Sequence, residues 1–152
     1  MDKDFFVSQV EGSADMLYRV AWSILRSDED CKDALQEAAL KAWEKRGTLR
    51  DPRLFRTWMT RILINACYDA RRKRRRLVSL EEVQEPSVPP PDPELAIALS
   101  KLPDKLRLPL VLVYSEGMTY AEAAKALRLP QSALRGRLAR AKTQLRKELD
   151  AE

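Results

Sequence analysis

Apolar residues in the first half of the chain recur at the three- and four-residue spacing of amphipathic helices. The first stripe is Ala14, Leu17, Tyr18, Ala21, Trp22 and Leu25. The second is Leu35, Ala38, Ala39, Ala42 and Trp43. The third is Phe55, Trp58, Met59, Ile62, Leu63, Ala66, Cys67 and Ala70. We therefore predict three helices, the second capped by Ser27 or Asp28 and ending near Gly47, and the third opened by Asp51-Pro52.

The second half of the chain predicts shorter helices. One covers residues 95–102, and another starts at Pro103 with Leu106, Leu110 and Val113 facing inward. Pro109 falls inside this second helix, where proline removes a hydrogen bond. We therefore expect the helix to begin a turn later or to bend at Pro109.

The next segment predicts a helix-turn-helix. Thr119 and Glu122 have the spacing of a capping box, followed by a short apolar helix with Tyr120 on its buried side. The turn is expected at residues 128–130. A second helix follows, whose inward positions are Leu134, Leu138, Ala141 and Leu145. Two short helices with a turn of this length form a helix-turn-helix.

Proline divides the chain. Five of the nine prolines lie between residues 77 and 93, and neither a helix nor a central strand is expected from Pro86 to Pro93. The predicted fold is therefore all-α, with two small helical domains at 1–76 and 94–152 joined by a Pro-rich linker at 77–93. The stretch 79–93 would extend to roughly 45 Å in a polyproline conformation.

Composition narrows the classes of function. The chain has two cysteines and no histidine, which removes the usual general base and the common His-based zinc ligands. We therefore expect no catalytic residue, metal or cofactor, and we expect Cys67 to be a core thiol because it lies in an apolar stripe. No apolar run of about 18 residues predicts a membrane span, and the acidic N-terminus does not have the pattern of a signal peptide.

Charge is distributed unevenly. Residues 1–40 hold nine acids and four bases, whereas residues 125–147 hold eight bases and no acid. The outward side of the last helix carries Gln131, Ser132, Arg135, Gly136, Ala139 and Arg140. A helix of this kind fits the DNA major groove. A solvated basic helix is the alternative, but such helices usually mix signs.

Two further faces are candidates for binding. The third helix carries an outer row of Thr57, Arg61, Asn65, Tyr68 and Arg72, and continues into a basic run at 71–76. Asparagine pairs with base edges and tyrosine stacks on unpaired bases, although a solvated polar face is an alternative. The second helix carries a mostly acidic outer row, which suits a protein partner or plain solvent exposure. Its residues are Asp33, Gln36, Glu37, Leu40, Lys41 and Glu44.

Three segments in this order resemble bacterial sigma factors. Residues 33–45, DALQEAALKAWEK, resemble the family's core-polymerase-binding helix. Residues 55–76, FRTWMTRILINACYDARRKRRR, resemble its promoter-melting and −10-reading helix. Residues 99–147 resemble its −35-reading domain. The two-domain size is similar to the extracytoplasmic-function (ECF) subfamily.

The resemblance implies roles for these residues. The β′ clamp helices of core RNA polymerase would be met by Asp33, Gln36, Glu37, Leu40 and Lys41 on the second helix, and the β flap would be a further partner. Asn65 would contact the non-template strand near the −10 element, with Arg61, Tyr68 and Arg72 on the same helix. The −35 element would be met by the helix that carries Gln131, Ser132, Arg135, Gly136, Arg137, Ala139, Arg140 and Lys142.

The resemblance also implies a cytoplasmic protein held by an anti-sigma factor, which is often membrane-anchored in this family. Two alternatives are a helix-turn-helix regulator that never binds polymerase, and a sigma mimic that titrates a regulator. An enzyme is a more distant third. One departure is Gly136, which costs about 1 kcal/mol of helix stability relative to alanine. It leaves the role intact but makes the −35 sequence uncertain.

Overall fold

The computed structural model describes residues 1–77 and 85–151, without the side chains of 75–77. Within these residues every regular element is helical: α1 (Lys3–Leu25), α2 (Asp28–Glu44), α3 (Phe55–Leu77), α4 (Pro93–Ser100), α5 (Asp104–Leu110), α6 (Tyr120–Leu127) and α7 (Gln131–Asp150). The chain divides into two compact units, Met1–Val88 and Pro89–Glu152. The all-α prediction is confirmed. The expected linker at 77–93 falls partly on residues 78–84, outside the described residues.

In the first unit, α1, α2 and α3 all pack against one another. Ser27 caps α2, because its side chain accepts a hydrogen bond from the Asp30 amide. Helix α2 ends at Glu44, and short 3₁₀ turns at Arg46–Thr48 and Pro52–Leu54 lead into α3. The core is closed at one end by a cluster of rings from Phe5, Phe6, Trp43, Phe55 and Trp58.

Two helices of the first unit, α1 and α3, differ from the sequence-based expectation. Ala14 is exposed, and Val20 and Ile24 are buried instead, so the inward stripe of α1 is rotated by about one position. Adjacent apolar residues made the phase of that stripe ambiguous. Thr57 is also buried rather than on the outer row of α3, because α3 packs on both other helices and its covered face is wider than one stripe.

In the second unit, α4, α5 and α6 pack against α7. Helix α4 runs from Pro93 rather than across 95–102, because the Asp92 side chain caps it and proline is tolerated in a first turn. Helix α5 begins at Asp104, so the expected later start is wrong. Instead the helix widens after Pro109 into a π-helical turn at Val111–Ser115.

A buried arginine braces the start of α5. Arg107 is 6% exposed. Its guanidinium donates hydrogen bonds to the Leu102 carbonyl and to the Asp104 carboxylate. The cation is therefore neutralised and hydrogen-bonded where it is shielded from water, as a buried charge must be.

The helix-turn-helix is formed as predicted. The Thr119 hydroxyl accepts from the Glu122 amide at 3.1 Å, and the Glu122 carboxylate accepts from the Thr119 amide at 3.0 Å. Helix α6 ends on Arg128, whose backbone is left-handed with a φ of 57°. Pro130 then opens α7. Leu134, Leu138 and Ala141 are buried, which confirms the inward face.

Among the residues with described placement, no helix is long and apolar enough to cross a membrane.

Candidate nucleic-acid interface

Helix α7 presents a polar face opposite its buried stripe. The predicted DNA-binding residues that are exposed are Gln131, Ser132, Arg135, Ala139, Arg140 and Lys142. Gly136 and Arg137 are half-buried. The periodicity of α7 thus separates the side chains that hold the fold from those that are free to meet a ligand.

Two bases of this face, Arg135 and Arg140, are not neutralised by the residues that the structure describes. Neither Arg135 nor Arg140 forms an ion pair with any residue that the structure describes. The Arg135 guanidinium instead lies 5.9 Å from the centre of the Tyr120 ring. Cation–π contact orients a guanidinium without cancelling its charge. These bases therefore keep their charge for a polyanion.

Two tyrosines support α7, and sequence reasoning assigned neither to this role. The Lys142 ammonium lies 4.7 Å from the Tyr114 ring, and the Tyr114 and Tyr120 hydroxyls are 3.4 Å apart. Contact with Lys142 lowers the pKa of Tyr114, and the Tyr114 contact raises the pKa of Lys142. Tyr120 is half-buried rather than fully in the core. Tyr114 lies in the π-helical turn, so no regular sequence period predicted its direction.

Tyr114 and Lys142 also border an open groove of about 230 Å³. Its other lining residues are Leu95, Leu99, Leu110, Ser115 and Leu145. The groove is mainly apolar, which separates it chemically from the basic face of the same helix.

Helix α3 presents a second candidate face. Arg61 and Asn65 are exposed one turn apart, and Arg72 is exposed two turns further on. Tyr68 is half-buried, and the Arg71 guanidinium lies 4.8 Å from its ring. The structure therefore places Arg61, Asn65 and Arg72 in one accessible row, and Tyr68 at its edge.

Part of the basic run that ends α3 is engaged within the first unit. Arg72 pairs with Asp69 of the same helix. Arg74 pairs with Asp30 at the start of α2. The side chains of residues 75 and 76, which complete the predicted run, lie outside the described residues. At least part of this run therefore holds α2 and α3 together.

The acidic face of α2 adjoins the basic face of α3. Asp33, Gln36, Glu37 and Leu40 are exposed, with Leu40 63% exposed. Lys41 is half-buried, and its ammonium lies 3.5 Å from Glu37 and 3.7 Å from Asp69. A groove of about 360 Å³ lies where the two helices meet at the surface. Its charged lining residues are Asp33, Glu37, Lys41, Asp69, Arg72 and Lys73.

The thiols are part of the core. Cys31 and Cys67 are both fully buried, which confirms the prediction for Cys67. Burial raises the pKa of Cys31 to about 12 and raises that of Cys67 as well. Neutral buried thiols are poor nucleophiles. No cluster of three metal-ligating side chains occurs among the described residues.

Two family models match the chain, one in each of its two compact units. Residues 10–77 match Sigma-70 region 2, and residues 94–145 match Sigma-70, region 4. The chain is 34% identical over 135 residues to the ECF RNA polymerase sigma factor SigM of Mycobacterium tuberculosis, covering 85% of this chain and 69% of SigM. The chain belongs to the ECF sigma factors.

Other relatives agree with this assignment. The ECF sigma factor SigW of Bacillus subtilis is 27% identical over 169 residues, covering 97% of this chain and 90% of SigW. The structure of CnrH in complex with the cytosolic domain of CnrY matches with a TM-score of 0.77 and 30% identity, over 99% of this sigma factor and 91% of CnrH.

The fold is also that of RpoE in complex with the anti-sigma factor NepR from Bartonella quintana. That structure matches with a TM-score of 0.80 and 22% identity over 99% of both chains. Promoter-specific transcription initiation with RNA polymerase is therefore the function of this sigma factor. A helix-turn-helix regulator or a sigma mimic is not favoured. The family is regulatory rather than catalytic.

Proposed function

We propose that the sigma factor reads a two-part promoter with two different helices. Helix α7 enters the major groove at the −35 element, and α3 captures unpaired bases of the −10 element. The observation that carries the first assignment is the charge of α7, where Arg135 and Arg140 are exposed and unneutralised by the described residues. Such bases release counterions from DNA without first breaking an internal ion pair.

Asn65 is the central residue of the second assignment. Its amide is exposed and lies one turn from Arg61 on the same face of α3. An asparagine amide pairs with the edge of a base, and an arginine one turn away holds the adjoining phosphate. A flipped base costs a few kcal/mol to unstack, which contacts of this kind offset.

The exposed row of α2 is the proposed dock for the β′ clamp helices. Its acidic residues lie beside an exposed leucine, a combination that suits a basic and partly apolar protein surface. Gln36→Lys with Glu37→Lys should weaken binding to core polymerase by at least tenfold, because two positive charges replace one negative charge. Asp15→Lys is the matched control on the exposed face of α1. Equal affinity for both variants would place the dock elsewhere.

The apolar groove beside Tyr114 is the proposed seat of the β flap. An anti-sigma factor is a further proposed partner, since the similar RpoE and CnrH structures are complexes with NepR and with the cytosolic domain of CnrY. The partner of this chain would act in the cytoplasm, either as a free protein or as the cytosolic part of a membrane-anchored one. No chemical step is assigned to the chain itself.

Transcription in vitro tests the proposal as a whole. The purified chain is combined with core polymerase and a library of promoters, and transcripts are sequenced from their 5′ ends. We expect initiation at promoters that share two elements. Initiation without any shared sequence, or none above core polymerase alone, would overturn the proposal.

A further inference from the structure

The first turn of α2 is a junction between elements distant in sequence. The Ser27 hydroxyl accepts from the Asp30 amide at 3.2 Å and from the Arg74 guanidinium at 3.4 Å. Arg74 also pairs with Asp30. The C-terminal part of α3 is therefore fixed beside this turn.

Ser87 of the proline-rich segment is bound at the same turn. Its amide donates to the Tyr18 hydroxyl at 2.9 Å and to the Asp28 carboxylate at 3.2 Å. Its own hydroxyl donates to Asp28 at 2.5 Å. The Tyr18 hydroxyl in turn donates to Asp28 at 2.5 Å. The three residues thus form one closed set of hydrogen bonds that joins α1, α2 and the segment.

The burial and charge of this set make it more than a surface contact. Tyr18 is only 4% exposed, so its hydroxyl needs the partners that Ser87 and Asp28 provide. Burial first, and then the Asp28 contact, raise the pKa of Tyr18 to about 12. Hydrogen bonds from Ser87 first and Tyr18 next lower the pKa of Asp28 well below its usual range. The carboxylate therefore stays charged, and bonds to a charged acceptor are the stronger kind.

This contact changes the reach of the segment. Arg74 and Ser87 both contact the start of α2, so the residues between them add nothing to the reach of the chain while Ser87 is bound. Only the six residue steps from Ser87 to Pro93 then connect the anchored point to α4. Fully extended they span about 20 Å, against about 55 Å for the sixteen steps from Leu77 to Pro93.

We propose that Ser87 is a positioning residue that anchors the segment to the first unit and sets the reach of the second. The proposal rests on the proposed two-part promoter, whose elements lie on the order of 70 Å apart at about 34 Å per DNA turn. While Ser87 is bound to Tyr18 and Asp28 (the closed anchor), roughly 50 Å of the distance between the elements remains for the two units to cover. When Ser87 is released (the open anchor), roughly 15 Å remains. Engaging both elements therefore favours the open anchor, whereas either element alone does not require it.

The anchor itself is tested on the full chain without DNA. Hydrogen exchange of the residue-87 amide, followed by NMR, should be slowed in the native protein. Tyr18→Phe removes the closer acceptor and should speed it, while Ser8→Ala on the exposed side of α1 should leave it unchanged. An amide that already exchanges in the native protein as fast as in a short peptide would overturn the anchor.

The positioning role is tested with holoenzyme. Ser87→Ala removes the hydroxyl bond to Asp28. It should strengthen binding to a two-element promoter by about tenfold, the change expected from one hydrogen bond to a charged group. Binding to a promoter that keeps only the −10 element should not change. Ser8→Ala is again the matched control.

Tether length provides the decisive comparison. Six Gly/Ser residues inserted between Val88 and Pro89 lengthen the tether without touching the anchor, and in that chain Ser87→Ala should no longer strengthen binding. An equal effect in both chains, or on both promoters, would overturn the positioning role. If wild-type holoenzyme selects no promoter, the proposed function and the positioning role fall together, and that result is distinguishable from promoter selection with an ineffective Ser87→Ala.

Discussion

Helices α3 and α7 are both long, both basic and both proposed to meet DNA, yet they hold their charges differently. Arg72 and Arg74 near the end of α3 are paired with Asp69 and Asp30. On α7, Arg135 is set against a tyrosine ring and no described carboxylate neutralises it. The difference shows that a basic run in sequence does not measure the charge available to a ligand. Local acids decide how much of it is already used.

The two helices are therefore expected to bind DNA in different modes. Unneutralised bases attract any duplex and give a strong dependence on salt. A helix whose bases are partly paired depends more on specific contacts, such as those of an amide with an unpaired base. Substitutions on each helix can separate these two modes.

The largest effect is expected on α7. Arg135→Ala with Arg140→Ala should weaken promoter binding by about 1–3 kcal/mol for each side chain that reads a base edge, and should reduce the salt slope by roughly one for each side chain that binds a phosphate. Binding is measured across a salt titration. Lys105→Ala, which removes an exposed base on α5 of the same unit, is the control. An unchanged slope and affinity in the double variant would show that α7 does not lie in the groove.

A single substitution on α3 should have a smaller and more selective effect. Asn65→Ala should cost about 1–3 kcal/mol on a promoter that contains unpaired −10 bases, because the variant cannot pair with a base edge. Binding to the fully paired promoter should change much less. The two templates, measured in parallel with holoenzyme, are each other's control. Equal weakening on both would mean that α3, like α7, contacts only duplex DNA.

Gly136→Ala distinguishes stability from binding on α7. An added Cβ would meet only the Arg140 guanidinium, at an ordinary 3.7 Å. The second unit should therefore gain about 1 kcal/mol of unfolding free energy, measured by thermal denaturation. Affinity for the −35 element should fall if DNA approaches the bare backbone here. Ala139→Gly is the reverse control for helix stability. A stabilised variant with unchanged affinity would exclude the close approach.

The smallest effect tests the internal pairing of α3. Asp69→Asn releases Arg72 and Lys41 from their shared carboxylate. Since exposed pairs contribute about 0–1 kcal/mol, we expect affinity for single-stranded DNA to rise by roughly threefold. Asp15→Asn, which makes the same change in net charge on α1, should do less. Equal gains from both variants would mean that net charge, and not the pairing of Asp69, limits the affinity for single-stranded DNA.

The sequence predicted the helices and the α7 faces well because both depend on local periodicity. Leu134, Leu138 and Ala141 recur at the helical period, so their burial could be anticipated. The buried stripe of α1 differs from the predicted one because Val20 and Ala21 are both apolar, and the helical period alone does not show which of them faces the core. The acids that pair with Arg72 and Arg74 were not anticipated either.

The Ser87 contact lay beyond such reasoning. Its partners Tyr18 and Asp28 are 69 and 59 residues away along the chain, and no period connects positions so far apart. One local indication existed. Asp28 directly follows the capping serine of α2, where a carboxylate is favoured by the helix dipole and remains charged.

Arg107 constrains the order in which substitutions can accumulate in the second unit. If Asp104 changes first, the buried guanidinium loses this carboxylate, at a cost of about 3–5 kcal/mol. If Arg107 changes first to an apolar residue of similar length, the carboxylate left behind is 24% exposed and is partly hydrated. Loss of the pair therefore costs less stability when the cation is replaced before the acid. As long as Arg107 is present, selection for stability should therefore retain the acid beside it.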